Sequence, residues 1–439
     1  MKTSHFLTQN GFMNFFEISR QVTVLGAGMV GVSCALALQA KGWQVTLVDK
    51  RAPGEETSAG NAGVLSRSSL LPFNRPGLLE SLPRMLLKPG PNLQVRLSAL
   101  AHWRFMWRFL WHARRRSFDI TTVALDGLIQ LSGQTHTAWL SQTSEQHRLR
   151  ETGWLWLFQN ETLWAGSAFS REVLQEFSVT SQVLQGDEIQ SLEPHIAKQF
   201  AKALWIQDAA SVDNPSAVVK AYAKRFLSLG GTFVNAEVCS VQKQPQGWQW
   251  LDSVGVPHAS PNLVVAMGPW SESLLKTSQL QTAFNSNMAF ERGYHRHFKP
   301  AEGVTLQRPI YDMAGAYVVS PMNNDQGETI FRMTTGVELA ARDAVPNTQQ
   351  LEAAENALRR VMPLKESVAG SDWLGARPST PDSRPVIGEM PNCPGLWLAF
   401  GHQHIGFSTG PGTGVLLSEL MSGESTSIRA EPFSPARFV

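Results

Sequence analysis

Cysteine is scarce in this sequence, with only three among 439 residues. Cys34, Cys239 and Cys393 are scattered, without the spacing of a disulfide framework or a zinc site, which favours a reducing compartment. An excess of charge of one sign is also lacking, because the formal net charge is only +2. The composition therefore gives no general support for nucleic acid as a partner, and we predict no metal site.

Long apolar runs are absent too. No run reaches the roughly 18 residues that a membrane-spanning helix needs, and residues 1–20 lack the apolar region and cleavage site of a signal peptide. We therefore expect a soluble cytoplasmic protein with a weakly patterned leader, in which Met13 is an alternative start. Hydrophobic residues still make up 43% of the chain, enough for the cores of two domains or two interleaved ones.

The first patterned segment reads "VTVLGAGMVGVSCALALQAKGWQVTLVDK". An apolar strand at Val22–Leu25 is followed by a helix rich in small residues at Met29–Lys41 and a second strand at Gln44–Val48. This order predicts a β-α-β unit whose helix starts directly after the first strand.

Three glycines form G-x-G-x-x-G at the turn of this unit. Gly26 permits the tight turn, Gly28 lets the backbone approach a pyrophosphate, and Gly31 lets the helix pack on the strand. Asp49 ends the second strand, where it can accept from ribose hydroxyls and disfavours a 2′-phosphate. The unit therefore predicts a dinucleotide site, although Asp49 does not separate NAD from FAD.

Small residues continue directly after the second strand, in "ETSAGNAGVLSRSSLLP". Ala59, Gly60, Ala62 and Gly63 would let backbone amides lie against a flat ring system. A further β-α unit is predicted around "DAASVDNPSAVV", with Asp213 capping a helix that has Pro215 in its first turn.

Later segments alternate between apolar and polar residues, as in "ERGYHRHF", "GAYVVSPM" and "TIFRMTTGVELA". Such alternation is typical of a half-exposed antiparallel sheet. The predicted fold class is α/β combined with α+β: a doubly wound, Rossmann-like nucleotide domain interleaved with a mixed-sheet substrate domain.

Six motifs occur in a fixed order: "ETSAGNAG", "VVAMGPWS", "ERGYH", "FRMTTGVELA", "GARPSTPDSRPVIG" and "LAFGHQHIGFSTGPGTG". With them the chain closely resembles the FAD-dependent D-amino-acid dehydrogenases of the D-amino-acid oxidase, glycine oxidase and sarcosine oxidase superfamily, from about Gln21 to Gly423. The resemblance implies the following division: leader 1–20; FAD-binding domain 21–80, 208–285 and 371–439; substrate domain 81–207 and 286–370.

The resemblance also implies which residues surround the cofactor. We expect FAD to contact Gly26, Ala27, Gly28, Met29, Val30, Gly31, Asp49, Lys50, Ser58, Asn61, Ala62, Gly63, Val64, Val238, Ala266, Gly268, Gly401, His402, Ile405, Gly406 and Thr409. Some sarcosine-oxidase relatives carry a flavin-linking cysteine where this chain has Ser379, Thr380 and Pro381, so the FAD is expected to be non-covalent.

Substrate residues are implied by the same resemblance. Arg377 matches the arginine that binds the substrate carboxylate, and Tyr317 matches the tyrosine that shares it. Both also have structural interpretations, with Arg377 pairing with Asp372 or Asp382 and Tyr317 within a sheet. Further candidates, each equally compatible with a structural role, complete the set: Arg292, Tyr294, Arg332, His295, His297, His402 and His404.

The implied reaction is oxidation of a small D-amino or imino acid, with the α-hydrogen leaving as hydride to flavin N5 and a quinone or oxygen as electron acceptor. "ERGYHRHF" is more similar to the D-hydroxyproline dehydrogenase branch than to the alanine-oxidising one, so a cyclic secondary amine is an alternative substrate. A second alternative is a flavoprotein subunit of a heteromeric hydroxyproline or sarcosine dehydrogenase, which works only with partner subunits.

One segment is unusually basic and aromatic. Residues 81–118 hold eight Arg or Lys residues and no Asp or Glu. Within residues 101–116, Trp103, Trp107 and Trp111 would form one stripe of a helix. This stripe suits contact with an anionic membrane, on the inner face for a cytoplasmic protein. The alternative is a helix whose tryptophans are buried in the substrate domain, and we favour it because apolar stripes are usually core.

Overall fold

The computed structural model describes residues 20–78, 80, 93–281 and 284–439. The predicted leader up to residue 19 and residues 81–92 of the basic segment lie outside this part of the chain. The described strands are β1 Gln21–Leu25, β2 Gln44–Asp49, β3 Val64–Leu65, β4 Leu93–Val95, β5 Leu149–Arg150, β6 Trp154–Phe158, β7 Ser181–Leu184, β8 Lys202–Ile206, β9 Ala210–Val212, β10 Thr232–Asn235, β11 Val238–Gln244, β12 Gly247–Asp252, β13 Pro257–Ser260, β14 Asn262–Val265, β15 Ala289–Pro300, β16 Ile310–Asp312, β17 Tyr317–Asn323, β18 Thr329–Thr335, β19 Val337–Leu339, β20 Leu364–Ser367, β21 Trp373–Ser379, β22 Val386–Glu389 and β23 Leu396–Phe400.

The α-helices of these residues follow in the same chain order. They are α1 Met29–Ala40, α2 Trp103–Trp111, α3 Arg115–Leu140, α4 Glu161–Gly166, α5 Ala168–Glu176, α6 Asp187–Leu192, α7 Pro215–Ser228, α8 Ser271–Thr277, α9 Gln349–Val361 and α10 Gly406–Met421.

A six-stranded sheet in the order β10-β2-β1-β14-β23-β22 forms the nucleotide domain. All its neighbouring pairs are parallel except β22 with β23. Its central strands are apolar on both faces: one face packs on helices α1, α7 and α10, and the other packs on the three-stranded sheet β11-β12-β13 and helix α8. Helix α10 crosses α1 closely, since a Cβ on Gly414 would lie 2.4 Å from the Ser33 carbonyl oxygen. The predicted doubly wound unit is confirmed.

An eleven-stranded mixed sheet forms the second domain, and β15 is its longest strand. Register places one row of cross-strand neighbours on a single face: Trp156, Tyr311, Val318, Thr334, His295 and Trp373. The opposite face packs an apolar core against helix α9. Alternate residues of each strand therefore belong either to this core or to the face that looks toward the nucleotide domain.

The two sheets draw on alternating parts of the chain, which confirms the predicted interleaving of the fold. One detail differs from the predicted division. Residues 371–439 were expected in the FAD-binding domain, but β21 pairs with β15 along seven consecutive residues of the mixed sheet. Sequence alone missed this because the strand interrupts a segment that otherwise returns to the six-stranded sheet.

The helix predicted at Pro215 is confirmed, but its cap is not Asp213. Asn214 is the N-cap, and its side-chain oxygen accepts from the backbone N–H of Ala217 at 3.0 Å. Asp213 is instead buried and paired with Arg148 and Arg150, at 3.0 and 2.8 Å. Arg150 of β5 and Arg148, just before that strand, satisfy this carboxylate better than the exposed helix end would.

Helix α2 contradicts the favoured interpretation of the aromatic segment. Trp103, Trp107 and Trp111 are 63%, 66% and 52% exposed, and of the nine residues of the helix only Phe105 is buried. The stripe therefore faces away from the core. Among the described residues, no helix combines the length and apolarity required to cross a bilayer.

Candidate functional site

A large cavity of about 660 Å³ lies between the two sheets. One end is bounded by the glycine turn before α1 and the end of β2, and the other by the mixed sheet and the start of α10. The segment 56–64 runs along its length. A long cavity that joins a dinucleotide turn to a sheet face can hold an extended cofactor and a small reactant together.

The glycine turn has the predicted geometry. Gly26 has φ +107°, and a Cβ there would lie 2.5 Å from the Ala266 carbonyl oxygen. A Cβ on Gly31 would lie 1.8 Å from the Gly26 carbonyl oxygen, so only glycine lets helix and strand approach this closely. Gly28 faces open space except for the Ser58 hydroxyl, 3.3 Å from an added Cβ. The turn thus leaves room for a phosphate at the helix N-terminus.

Asp49 and Ser58 complete this end of the cavity. Asp49 accepts hydrogen bonds from the backbone N–H groups of Ala27, at 2.7 Å, and Arg51, at 3.0 Å. The Ser58 hydroxyl accepts from the backbone N–H of Met29 at 2.9 Å, which leaves its own hydrogen free for an anion. Both side chains line the cavity, so they fix the turn and also reach a bound nucleotide.

Arg332 holds the small-residue segment at residues 59–63 in place through hydrogen bonds to its backbone. Its Nη1 donates to the carbonyl oxygens of Ala59 and Asn61, both at 2.7 Å, and its Nε donates to His297 Nε2 at 3.0 Å. Burial lowers the pKa of Arg332 to about 10. This guanidinium therefore has a structural role: it fixes the backbone that lies along the cavity.

Beside it, His295 stacks on His297 and on Trp373, with ring centroids 4.8 and 5.0 Å apart. Burial and the nearby Arg332 charge lower the pKa of His295 to about 2 and that of His297 to about 3, so both rings are neutral. Trp373 covers Gly60, where a Cβ would meet its ring at 2.1 Å. The histidines thus support the segment and are not among the residues that line the cavity.

His402 closes the other end. The Thr413 hydroxyl donates to the Thr409 carbonyl oxygen, so it accepts from the Nε2–H of His402, at 2.9 Å. Burial lowers the pKa of His402 to about 3, and the ring is therefore neutral with its lone pair on Nδ1. Thr409 itself is fully buried and donates to the Ile405 carbonyl oxygen, inside α10.

Most of the residues expected around the cofactor lie on this cavity. Those that line it are Gly26, Gly28, Val30, Asp49, Lys50, Ser58, Asn61, Ala62, Val64, Val238, Ala266, Gly268, His402, Ile405 and Gly406. Six lie just behind the wall: Ala27, Met29, Gly31, Gly63, Gly401 and Thr409. Several of these six shape the wall through backbone geometry, as Gly63 and Gly401 do with φ +73° and +81°.

Arg377 points from β21 into the wall on the mixed-sheet side. Neither alternative pairing exists, because Asp372 pairs with Arg296 and Asp382 pairs with Arg384 and Arg437. Within the part of the chain that the structure describes, no hydrogen bond or ion pair engages its guanidinium. Burial lowers the pKa of Arg377, and the carboxylate of Glu291 opposes this effect.

Glu291 and His404 lie beside this arginine. His404 was a candidate from sequence, whereas Glu291 had no predicted role. Glu291 is the register partner of Arg377 and is 3% exposed. Its Oε1 accepts from the Ser379 hydroxyl at 2.6 Å, and its Oε2 lies 3.8 Å from His404 Nδ1. Alternation along "ERGYH" predicts that Glu291 and Gly293 share one face of the strand. The pairing of this strand with β21, which brings Arg377 to the same face, could not be predicted from sequence.

Tyr317 borders the cavity, yet its ring belongs to the core face of the mixed sheet and is 1% exposed. Burial and the Asp312 carboxyl raise the pKa of Tyr317 well above its usual range. The phenol is therefore neutral and buried beside the cavity that Arg377 also lines.

Two further candidates lie outside the cavity. Arg292 and Tyr294 lie on the core face, and Arg292 is fully buried with its Nε 3.3 Å from Glu338 Oε2. The Tyr294 hydroxyl donates to the same carboxylate at 3.0 Å. This prediction was wrong in orientation, because their even-numbered positions on β15 face away from Glu291 and Gly293. We assign both residues a structural role.

An aromatic wall, defined by Trp154, Trp156 and Tyr311, was missed as a site. Trp156 and Tyr311 are register partners, and their rings meet edge to face at 6.5 Å; Trp154 meets Trp156 in the same way at 5.6 Å. All three line the cavity. Its sequence signal was the alternation of Trp154 and Trp156 in a strand, which places both on one face.

A phosphate-binding turn joined to an enclosed pocket with an unpaired guanidinium defines the class as dinucleotide-dependent oxidoreductases. The model of the FAD dependent oxidoreductase family (DAO) matches residues 21–420, and the chain belongs to this family. The chain is therefore an FAD-dependent oxidoreductase, and the predicted resemblance is confirmed. The residues fit FAD, because the turn offers backbone N–H groups to a pyrophosphate and the small residues of the 58–64 segment line the cavity where the ring system would lie.

Similar proteins support the same family. A D-amino-acid oxidase of Bradyrhizobium diazoefficiens is 28% identical over 431 residues, covering 96% of this chain and 99% of that protein. A D-amino acid dehydrogenase of Chromohalobacter salexigens is 27% identical over 423 residues, covering 93% and 97%. The crystal structure of glycine oxidase from Bacillus cereus has a TM-score of 0.68 at 20% identity, covering 93% of this chain and 98% of that one. The last likeness supports the fold.

Proposed function

We propose that this protein oxidises a small D-amino acid or imino acid at the α-carbon, with Arg377 binding the substrate carboxylate. The observation that carries the proposal is the unpaired guanidinium of Arg377 at the cavity wall. A planar guanidinium binds a carboxylate through two parallel charge-assisted hydrogen bonds, which fixes orientation as well as position. A buried guanidinium at the cavity wall that no described residue engages in a hydrogen bond or ion pair therefore favours an acidic reactant.

FAD, when bound, supplies the acceptor for a hydride from the α-carbon. The protein's own residues position the substrate and shape its surroundings. Arg377 fixes the carboxylate, and the aromatic wall excludes water and limits the size of the side chain. With a primary amine as substrate, water then hydrolyses the imine product to a keto acid and ammonia, whereas a cyclic secondary amine gives a cyclic imine. Substrate must bind with a neutral amine for hydride to leave, and no side chain is assigned as its base.

The choice of substrate rests on two supports. The named relatives, at 28% and 27% identity over nearly the whole chain, act on D-amino acids by name. The sequence "ERGYHRHF" favours a cyclic imino acid as an alternative, and it forms the strand that carries Glu291 and Gly293. Electrons then pass to a quinone or to oxygen. All three cysteines are free thiols, which supports a reducing, cytoplasmic setting.

The test is anaerobic bleaching of the purified yellow protein by a panel of D-amino acids, L-amino acids, glycine, D-proline and hydroxyproline. We expect D-amino or imino acids to bleach the flavin, and air or a quinone analogue to restore it. Bleaching by none of them would overturn the proposal and favour a subunit that works only with partners. L-enantiomers alone would overturn the D-specificity.

Arg377→Ala tests the residue assignment. Loss of two charge-assisted hydrogen bonds, each about 1.5–3 kcal/mol, should lower kcat/KM by roughly 10²–10⁴-fold. Arg377→Lys should recover part of the loss, because an ammonium keeps the charge but not the two-pronged geometry. Arg429→Ala, at an 83% exposed side chain, is the control. An Arg377→Ala protein as efficient as the parent would refute the carboxylate role.

A further inference from the structure

Helix α2 carries a surface that the proposed chemistry does not use. Its three tryptophans are more than half exposed, whereas the side chain of Phe105 on the other side of the helix is 2% exposed. At 100° per residue, positions 103, 107 and 111 fall within an arc of about 80°. A contiguous row of exposed indoles is rare on a soluble surface and marks a contact site. We call this row the tryptophan ridge.

Arginines surround the ridge. Arg104 and Arg108 lie along one flank, and Arg114 stacks on the Trp111 ring with its guanidinium carbon 3.4 Å from the centroid. Arg116 follows in α3. The ion pairs described around the start of α3 involve Arg115 and none of these four arginines.

Carboxylates near the ridge are few. Asp119 pairs with Arg115 at 2.8 Å, and Glu176 lies 3.9 Å from the same arginine. Both acids lie near Arg115, so neither neutralises the four arginines around the ridge. The surface around the ridge is therefore positively charged. The apolar surface continues onto the first turns of α3, where Ile120 and Val123 are 45% and 60% exposed.

We infer that the tryptophan ridge docks the protein on an anionic lipid surface. Indoles are amphipathic and settle at the boundary between headgroups and acyl chains, and flanking guanidiniums bind lipid phosphates. Charge complementarity favours a lipid surface, because mobile anionic headgroups can pair with the four arginines whatever the distances between them. The inference does not rest on the proposed function, and it assigns peripheral binding to the described helix.

Vesicle sedimentation with the full-length protein tests the inference. We expect the protein to pellet with vesicles of phosphatidylcholine mixed with phosphatidylglycerol, to pellet far less with phosphatidylcholine alone, and to be released by high salt. The triple variant Trp103→Ser, Trp107→Ser, Trp111→Ser should stay in the supernatant. The double variant Arg104→Glu, Arg108→Glu should bind at least fivefold more weakly for each arginine, an order-of-magnitude expectation.

The controls change equally exposed residues elsewhere. Val254→Ser and Val345→Ser alter side chains that are 81% and 76% exposed, and they should bind vesicles like the parent. All substituted residues are exposed, so the variants should keep their fold, flavin content and activity on soluble substrate. These readouts separate failure of the inference from failure of the proposed function.

Three outcomes would overturn the inference. The first is a parent protein that stays in the supernatant with every vesicle. The second is a tryptophan triple variant that pellets like the parent. The third is a ridge that joins two copies of the chain. The last is recognised by a native mass that halves in the triple variant while neither protein binds vesicles.

Discussion

The guanidinium of Arg377 lies directly over the α-carbon of Gly293, its cross-strand diagonal neighbour. A Cβ added to Gly293 would lie 2.2 Å from Arg377 Nη2 and 2.5 Å from Cζ. Both residues are on the cavity face of the mixed sheet, where β15 and β21 pair residue by residue. The missing side chain of Gly293 is therefore what lets the arginine lie flat along the wall, with one edge toward the pocket.

Gly293→Ala is expected to lower kcat/KM by displacing Arg377. Overpacking of this kind costs roughly 1–3 kcal/mol. If that cost is relieved by displacement of the guanidinium, kcat/KM falls about tenfold to hundredfold. The loss should appear mainly in KM, with flavin content unchanged. Gly133→Ala is the control, because a Cβ there meets nothing within 4 Å. Unchanged kinetics in Gly293→Ala would show that the guanidinium position is unimportant.

Gly26 and Gly28 should differ in what they support. Gly28 has φ −72°, which any residue can adopt, so Gly28→Ala should fold normally but bind flavin weakly, because the methyl group would occupy space beside Ser58. Gly26 has φ +107° and little room, so Gly26→Ala should lose stability as well. Visible flavin absorbance reports the first effect and thermal unfolding of the apo protein reports the second. Equal unfolding temperatures for the two variants would contradict this distinction.

Local patterns predicted the nucleotide end of the molecule well. The glycine triplet, Asp49 and the small-residue segment are contiguous in sequence, and their geometry follows from local backbone rules that a single chain displays. The orientation of a strand residue in a wide sheet depends on distant pairing. For this reason Arg292 and Tyr294 were assigned to the site although their side chains face the core, and Glu291, directly before Arg292, was not.

The tryptophans illustrate a different limit. The spacing of Trp103, Trp107 and Trp111 predicted a stripe, but a stripe has the same pattern whether a core or a lipid surface covers it. Three-dimensional exposure decides, and it shows that the core does not cover this stripe. For the aromatic wall, the sequence predicted a strand at Trp154 and Trp156 but no site. Their position at the cavity depends on the pairing of this strand with the strand that holds Tyr311.

Trp156→Phe should change the ranking of substrates while leaving stability nearly unchanged. Among the described residues the indole N–H of Trp156 has no hydrogen-bond partner, so its removal relieves a buried unsatisfied donor and offsets part of the lost packing. The smaller ring enlarges the pocket, and pocket fit is worth roughly 10–200-fold per methylene-sized change. We expect kcat/KM to fall for small D-amino acids relative to bulky ones, compared with a Trp164→Phe control. The same ranking in both variants would place the wall outside the substrate site.

Acid should destabilise the protein partly through His136. This residue is fully buried: its Nε2–H donates to the Phe407 carbonyl oxygen at 3.0 Å, and its Nδ1 accepts from the Tyr222 hydroxyl at 2.8 Å. It therefore connects α3 and α7 to the first turn of α10, next to the cavity. Burial lowers the pKa of His136 from 6.5 to about 4.

The sign follows from proton uptake. Above pH 6.5 the imidazole is neutral in both the folded and the unfolded chain, and its contribution to stability is complete. As the pH falls below 6.5 the unfolded chain binds the proton first, so the free energy of unfolding decreases until about pH 4, where the folded state also binds it. A shift of this size is worth about 3 kcal/mol at most. His295, His297 and His402 have lowered pKa values too, and they act in the same direction.

His136→Gln isolates this one group. Its amide does not titrate and keeps one donor for the Phe407 carbonyl oxygen, so the variant should be less stable than the parent at pH 7 but lose less stability between pH 6.5 and pH 4. Urea unfolding across this range measures the slope, and flavin absorbance shows whether α10 releases the cofactor at the same pH. A variant whose unfolding free energy falls as steeply with acid as the parent's would show that His136 does not contribute to the pH dependence.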